Sequence, residues 1–418
     1  MLNKKIRITF FDILVYLSLT FLCMQFFVSN NVKVGFCVFF DSLGIKHILM
    51  IAVIVVAFIS DFSKTKLQIK KFSREIKLVL LAVAIMVIIS FIYMFFNGFS
   101  NKWIEQVYFF VIPLFYAYAI FRNDYSVKRF KSVIDYCLII TSIYYTIFII
   151  SQLVSGNVVW EFNYIKSTGP FECEVAHFYL LMYIFYTFNH NYTGRVVSAL
   201  FCILAWKRLC LICLILITIA GFMRLRNKKI KFGYMIAVAV IFTVFPLITE
   251  YMLSPEFGQW FRDFTGQEYT EFSNFRYYTV STALSGNIPN QGLGTYIMIK
   301  VPWYDGYVMA NMHNDLMRLY LEVTIVGLFL YLLLTGLTVK RRFSLFVILY
   351  LFIEMSGNHL IGNGGIPYWF LAYSLIFYFN MYDRDGFGNV FLAEEADSGR
   401  GRLKSHVSIK NGKITIRK

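Results

Sequence analysis

Apolar stretches of roughly 18 residues or more, separated by short basic connections, recur along nearly the whole chain. Backbone can cross a bilayer only if every amide and carbonyl is paired, and stretches of this length pair them as helical spans rather than as a barrel. Composition agrees: 58% of the 418 residues are hydrophobic and 15% are charged, against about 25% charged in ordinary soluble domains. The spans read as 9–29, 45–61, 77–97, 103–121, 132–154, 173–189, 192–206, 209–223, 232–250, 312–339, 343–361 and 366–382. The first lies in "MLNKKIRITFFDILVYLSLTFLCMQFFVS", an apolar run too long for a secretory signal and without a small-residue cleavage site, so it reads as a retained span. The expectation is an all-α integral membrane protein of about twelve transmembrane helices. Residues 1–382 form the membrane domain, with one large outside loop at about 251–308, and 383–418 form a polar tail.

The net charge of +16 does not point to nucleic acid, because the cations sit between the spans. Of the 40 Lys and Arg residues, 30 fall in the N-terminus, the tail and the connections 64–77, 122–131, 189–195, 224–231 and 340–342. The positive-inside rule then puts both ends on the inner side. Because 122–131 and 224–231 are both basic, "VVSALFCILAWKRLCLICLILITIAGF" (196–222) must cross twice or not at all. Read as two short helices, it draws the turn at Lys207 and Arg208 into the outer part of the bilayer. The seven Cys lie mostly in apolar runs, so Cys210 and Cys213 read as core packing rather than a metal or redox pair. In the tail, "SHVSIKNGKITIRK" alternates around Asn411-Gly412 like a two-residue hairpin. No inverted repeat of the transporter kind is visible.

The stretch "NMHNDLMRLYLEVTIVGLFLYLLL" (311–334) loads polar groups onto the mouth of an apolar run. At about 100° per residue, His313, Tyr320, Thr324 and Gly327 share a stripe, and Asp315 and Glu322 fall elsewhere. Arg318 and Glu322, four apart, can pair and brace the helix entry. His313 has no acid one turn away on its stripe. Glu172, Glu174 and His177 gather at the mouth of the sixth span and His359 at the end of the eleventh; the Glu pair also reads as acids at a helix start. Trp160, Trp260 and Trp303 lie in outside loops, as interfacial anchors or as faces for sugar stacking.

"HNDLMRLYLEVTIVG" resembles the H-[NS]-x(7)-E-x(4)-G helix-mouth pattern of the O-antigen polymerase and O-antigen ligase superfamily. "FRYYTVSTALSGNIPNQGLGTYI" (275–297) resembles that family's loop motif, in which an Arg opens a short helix and a P-x-x-G-x-G turn follows; here these are Arg276, Pro289, Gly292 and Gly294. Arg208 matches a third family arginine, although Lys207 stands where Ser is common. The resemblance covers most of 190–380.

It implies a GT-C-like membrane glycosyltransferase of the bacterial inner membrane, with both termini cytoplasmic and its site on the periplasmic side. The donor it implies is a glycan on undecaprenyl pyrophosphate, and the acceptor another lipid-linked repeat unit. Arg208 and Arg276 would hold the pyrophosphate, and His313 would take the acceptor's proton or orient its hydroxyl. Lys207, Asn314, Gly292, Gly294 and Tyr320 would help bind substrate, although the two glycines can equally serve only to turn the chain. Arg318 and Glu322 would be structural. No cofactor and no metal are implied; the partners are membrane lipids and a chain-length regulator protein. His359 is the fallback base. An O-antigen ligase shares the motifs, and a lipid-linked-oligosaccharide flippase remains as a reading from another class.

Overall fold

The computed structural model describes residues 9–28, 34–62, 73–122, 127–156, 158–163, 168–223, 225–273, 276–303, 306–381, 406–410 and 413–417. The chain is mostly helical. In order, the helices are α1 (Phe10–Met24), α2 (Gly35–Ser42), α3 (Ile45–Phe62), α4 (Ser73–Asn97), α5 (Lys102–Arg122), α6 (Val127–Ser155), α7 (Val175–Phe188), α8 (Tyr192–Leu204), α9 (Arg208–Phe222) and α10 (Phe232–Met252). Three short helices, α11 (Pro255–Thr265), α12 (Tyr269–Phe272) and α13 (Arg276–Leu284), precede an antiparallel hairpin of β1 (Met298–Trp303) and β2 (Gly306–Asn311). Then come α14 (Asp315–Gly336), α15 (Arg342–Gly357) and α16 (Ile366–Met381).

Every residue of α7, and every residue of α16 up to Phe379, is buried. These two helices form the centre, and α5, α8, α9 and α15 pack against one or other of them. At the periphery the pattern inverts. Ile88 on α4, Ile215 on α9 and Ile241 on α10 are 60%, 61% and 64% exposed. Rows of bare aliphatic side chains on outer helices are what a lipid-solvated surface presents and what water would not tolerate. The protein is an all-α membrane protein.

Among the described residues, six helical segments are long and apolar enough to cross a bilayer, seven if the pair α2–α3, bent by 58°, is one broken span. That is fewer than twelve. α7, α8 and α9 have 14, 13 and 15 residues, and α15 and α16 have 16 each. At about 1.5 Å per residue such helices reach about 20–24 Å, short of a core of about 30 Å. The reading 343–361 also runs past the helix end, since α15 stops at Gly357. The stretch 196–222 does split, into α8 and α9, with Trp206 left-handed at the turn (φ 48°). The tail forms a hairpin of β3 (His406–Lys410) and β4 (Lys413–Arg417), in the register Lys410 to Lys413 that brackets Asn411-Gly412.

Local chemistry sets the loop. α11 starts where Ser254 accepts the Phe257 amide at 3.2 Å with Pro255 in the first turn, and stops at left-handed Gly266, the usual start and stop signals. α14 starts where the Asn314 side chain accepts the Met317 amide at 3.0 Å. It is broken at Thr324 (φ 67°), which releases carbonyls from the helix ladder. Asn290 Nδ2 donates to the Leu321 carbonyl at 2.7 Å, and Glu322 Oε1 accepts the Tyr296 amide at 3.0 Å. The long segment between α10 and α14 is thereby stitched to the middle of α14.

Candidate functional site

Arg208, Arg276, His313 and Asn314 line one cavity of about 160 Å³, together with Thr249, Tyr269, Phe272, Ser273 and Ser356. They come from distant parts of the chain: the start of α9, the end of α10, the α12–α13 segment, the residues ahead of α14 and the end of α15. Arg208 is the first residue of α9 and is held by Phe272, whose ring lies 4.9 Å below its guanidinium and whose carbonyl accepts from Nη2 at 3.4 Å. Arg276 opens α13 and donates from Nη2 to Asn358 Oδ1 at 3.2 Å. No carboxylate of a described residue lies within ion-pair distance of Arg276; Glu354 and Glu174 act on it only from further away. His313 sits ahead of α14, half-buried, and makes no hydrogen bond to a described residue.

The electrostatics follow. Burial, and then the charge of Arg208, lower Arg276 from its usual value, but a guanidinium starts so high that it stays charged. Burial, and then the charge of Arg276, push His313 from 6.5 down to about 4. At neutral pH the cavity therefore holds two guanidinium groups beside an uncharged imidazole, an arrangement that accepts an anion and a proton donor together.

No model of a known protein family matches the chain, and no curated protein or solved structure does either. The site therefore stands on its own geometry.

Other expected residues lie elsewhere. Lys207 is taken by Glu172, with Nζ 2.6 Å from Oε1, and Glu172 and Glu174 outweigh burial to hold its pKa above the ordinary value. Gly292 and Gly294 do not line the cavity. Both are left-handed (φ 84° and 90°); a Cβ on Gly292 would meet Ser90 Cα at 2.6 Å, and one on Gly294 would meet Lys102 Cβ at 2.8 Å. Turn geometry and close packing on α4 and α5 require glycine there. Tyr320 does not line the cavity. The stripe His313–Tyr320–Thr324–Gly327 does not exist as such. Asn314 is an extended cap residue (φ −160°) and Thr324 breaks the helix, so 100° spacing does not connect these positions.

The brace also differs from the expected Arg318–Glu322 pair. Arg318, fully buried, contacts Asp315 at 3.2 Å, and Glu322 binds the Tyr296 amide instead. Asp315 Oδ2 accepts the amides of Leu360 and Ile361 at 2.5 and 2.7 Å, and Oδ1 lies 3.0 Å from His359 Nδ1. This clasp holds the segment after α15 against the start of α14. It also commits His359 to Asp315, outside the cavity lining.

Asn358, which orients Arg276, is itself oriented. Its Nδ2 donates to Glu354 Oε2 at 2.6 Å, and that oxygen lies 2.9 Å from His177 Nδ1. His177 Nδ1 is also 3.0 Å from Tyr350 Oη and 3.0 Å from Cys210 Sγ. His177, Cys210 and Glu354 are all buried, with donor atoms within 4.8 Å of one another, close enough to converge on a metal ion. Here they form a chain of hydrogen bonds leading to Arg276. Glu354 was missed from the sequence, although a carboxylate inside the apolar run "VILYLFIEMSG" is by default a functional signal. Trp160 and Trp260 are exposed, by 68% and 56%, and the side chain of Trp303 lies outside the described residues.

Proposed function

We propose that the protein is a membrane glycosyltransferase that extends a bacterial surface polysaccharide, an O-antigen or capsular polymerase. It moves a glycan from undecaprenyl pyrophosphate onto a lipid-linked repeat unit at the periplasmic face of the inner membrane, with inversion and without a metal cofactor. About twelve crossings, counting the short helices, and cytoplasmic termini belong to the same reading, as does a chain-length regulator as partner. The observation that carries it is Arg276, a half-buried guanidinium without a carboxylate partner among the described residues, beside Arg208 and neutral His313 around one cavity.

The chemistry follows from those groups. Arg276 and Arg208 bind the diphosphate and stabilise the charge that gathers on it as the glycosidic bond breaks. Planar bidentate donors suit phosphate and stay charged at any working pH. His313 accepts the proton of the attacking hydroxyl. Diphosphate binding also changes the base: its negative charge offsets that of Arg276, so His313 rises toward its ordinary range once the donor is in place.

The test is a lipopolysaccharide gel of a strain lacking this gene, complemented with wild type or His313→Ala. Core bearing a single repeat in the variant supports a polymerase. Bare core with long polymer left on the lipid carrier points to a ligase sharing the same chemistry. Bare core with single units trapped on the cytoplasmic side points to a flippase and removes the enzymatic reading.

A further inference from the structure

At the other end of the same helices lies a second cavity. α10 ends and α14 begins at the His313 site, whereas α10 begins and α14 ends at a cavity of about 400 Å³ lined by Arg74, Lys229, Lys231, Lys340, Arg341 and Asn380. With helices of 21 and 22 residues between them, the two cavities are about 30 Å apart, one bilayer thickness. We propose that this second cavity binds the headgroup of an anionic phospholipid of the inner leaflet.

The walls are built rather than incidental. The segment before α10 pairs with the segment before α15: Lys229 bridges Arg341, and the Ile230 amide donates to the Lys340 carbonyl at 3.0 Å. Arg341 is buried, with Nη1 on the Asn227 carbonyl at 3.1 Å and Nε on the Asn380 carbonyl at 3.3 Å. The carboxylate of Glu75 contacts Lys340, yet no acid is among the described residues lining the cavity. No side chain caps the N-terminus of α10, whereas Asn227 Oδ1 accepts the Phe343 amide at the start of α15 at 3.1 Å, so one positive helix end adds to five basic side chains.

A free phosphate would satisfy that charge equally, but the surroundings select a lipid. The α10 face beside the cavity is bare and apolar: Phe232 is 59% exposed, Ile236 37%, Val240 47% and Leu247 43%, all within about 80° around the helix. A headgroup in the basic cavity can therefore lay its acyl chains along α10. Basic pockets at helix ends on the cytoplasmic side are where anionic lipids are expected to bind.

The experiment uses the purified full-length protein, with native mass spectrometry and thermal melting as phosphatidylglycerol or phosphatidylcholine is added. Phosphatidylglycerol should be retained and raise the melting temperature, and phosphatidylcholine should not. In Lys229→Gln/Lys231→Gln, affinity for phosphatidylglycerol should fall about 30-fold, near fivefold per lysine. Arg262→Gln/Lys300→Gln, which removes the same charge at the other end, should bind as wild type does. Equal affinity in the Lys229/Lys231 variant, an equal loss in the control variant, or the full shift from inorganic phosphate alone would each overturn the assignment.

Discussion

His313 is the residue on which pH acts most sharply. Because its pKa in the folded protein is about 4 rather than 6.5, its neutral form is favoured by the fold. The unfolded chain takes up the proton first, so this contribution to stability is present above 6.5 and is lost as pH falls toward 4. Chain extension at limiting substrate reports the free enzyme, so kcat/KM should keep its acid limb near pH 4. A midpoint at 6.5 or higher would mean that His313 is not the base or is not buried beside Arg276. Arg276→Lys keeps the charge and loses the fork. With one charged hydrogen bond to phosphate worth about 1.5–3 kcal/mol, extension should drop about 10- to 150-fold at unchanged protein level; full activity would dismiss bidentate binding. These residues were legible in the sequence by type and neighbourhood. Which of them face the cavity was not, because one extended cap residue, Asn314, removes His313 from the helical stripe that its spacing implies.

Among the elements, α14 does most to organise the site, and it does so through its irregularities. Its start is clasped to the segment after α15 by Asp315, and its break at Thr324 accepts the turn 290–296. Apolar periodicity reveals the helix but neither feature. A clasp between residues 45 positions apart, such as Asp315 and Leu360, has no local signature, and a left-handed Thr is outside what its residue type favours. The start of α13 at Arg276 and the α8–α9 split were readable, because a motif and a charge-parity constraint act locally. Asp315→Asn removes the charge opposite buried Arg318, a loss that costs about 3–5 kcal/mol when a buried pair is broken. The purified variant should melt well below wild type in detergent; an unchanged melting temperature would mean that the clasp does not stabilise the fold.

At the scale of the molecule, composition and basic connections were enough to read a helical membrane protein, while the number of crossings was not. Helices of 13–16 residues count as spans in a sequence because they are predominantly apolar, although at this length a straight helix falls short of a bilayer core. Their packing decides whether they cross. If they do, accessibility labelling of single cysteines placed at Lys228 and at Lys300 in a cysteine-free background should find them on opposite faces, with Lys228 inside. Labelling of both from the same side would discard the topology.

The decisive measurement is chain extension by the purified protein in nanodiscs, supplied with undecaprenyl-pyrophosphate-linked repeat units in the presence of a metal chelator. Wild type should form products longer than one repeat, and His313→Ala, equally folded by melting temperature, should form none. Extension by His313→Ala at the wild-type rate, or its absence from wild type itself, would contradict a polymerase working through the Arg208–Arg276–His313 cavity.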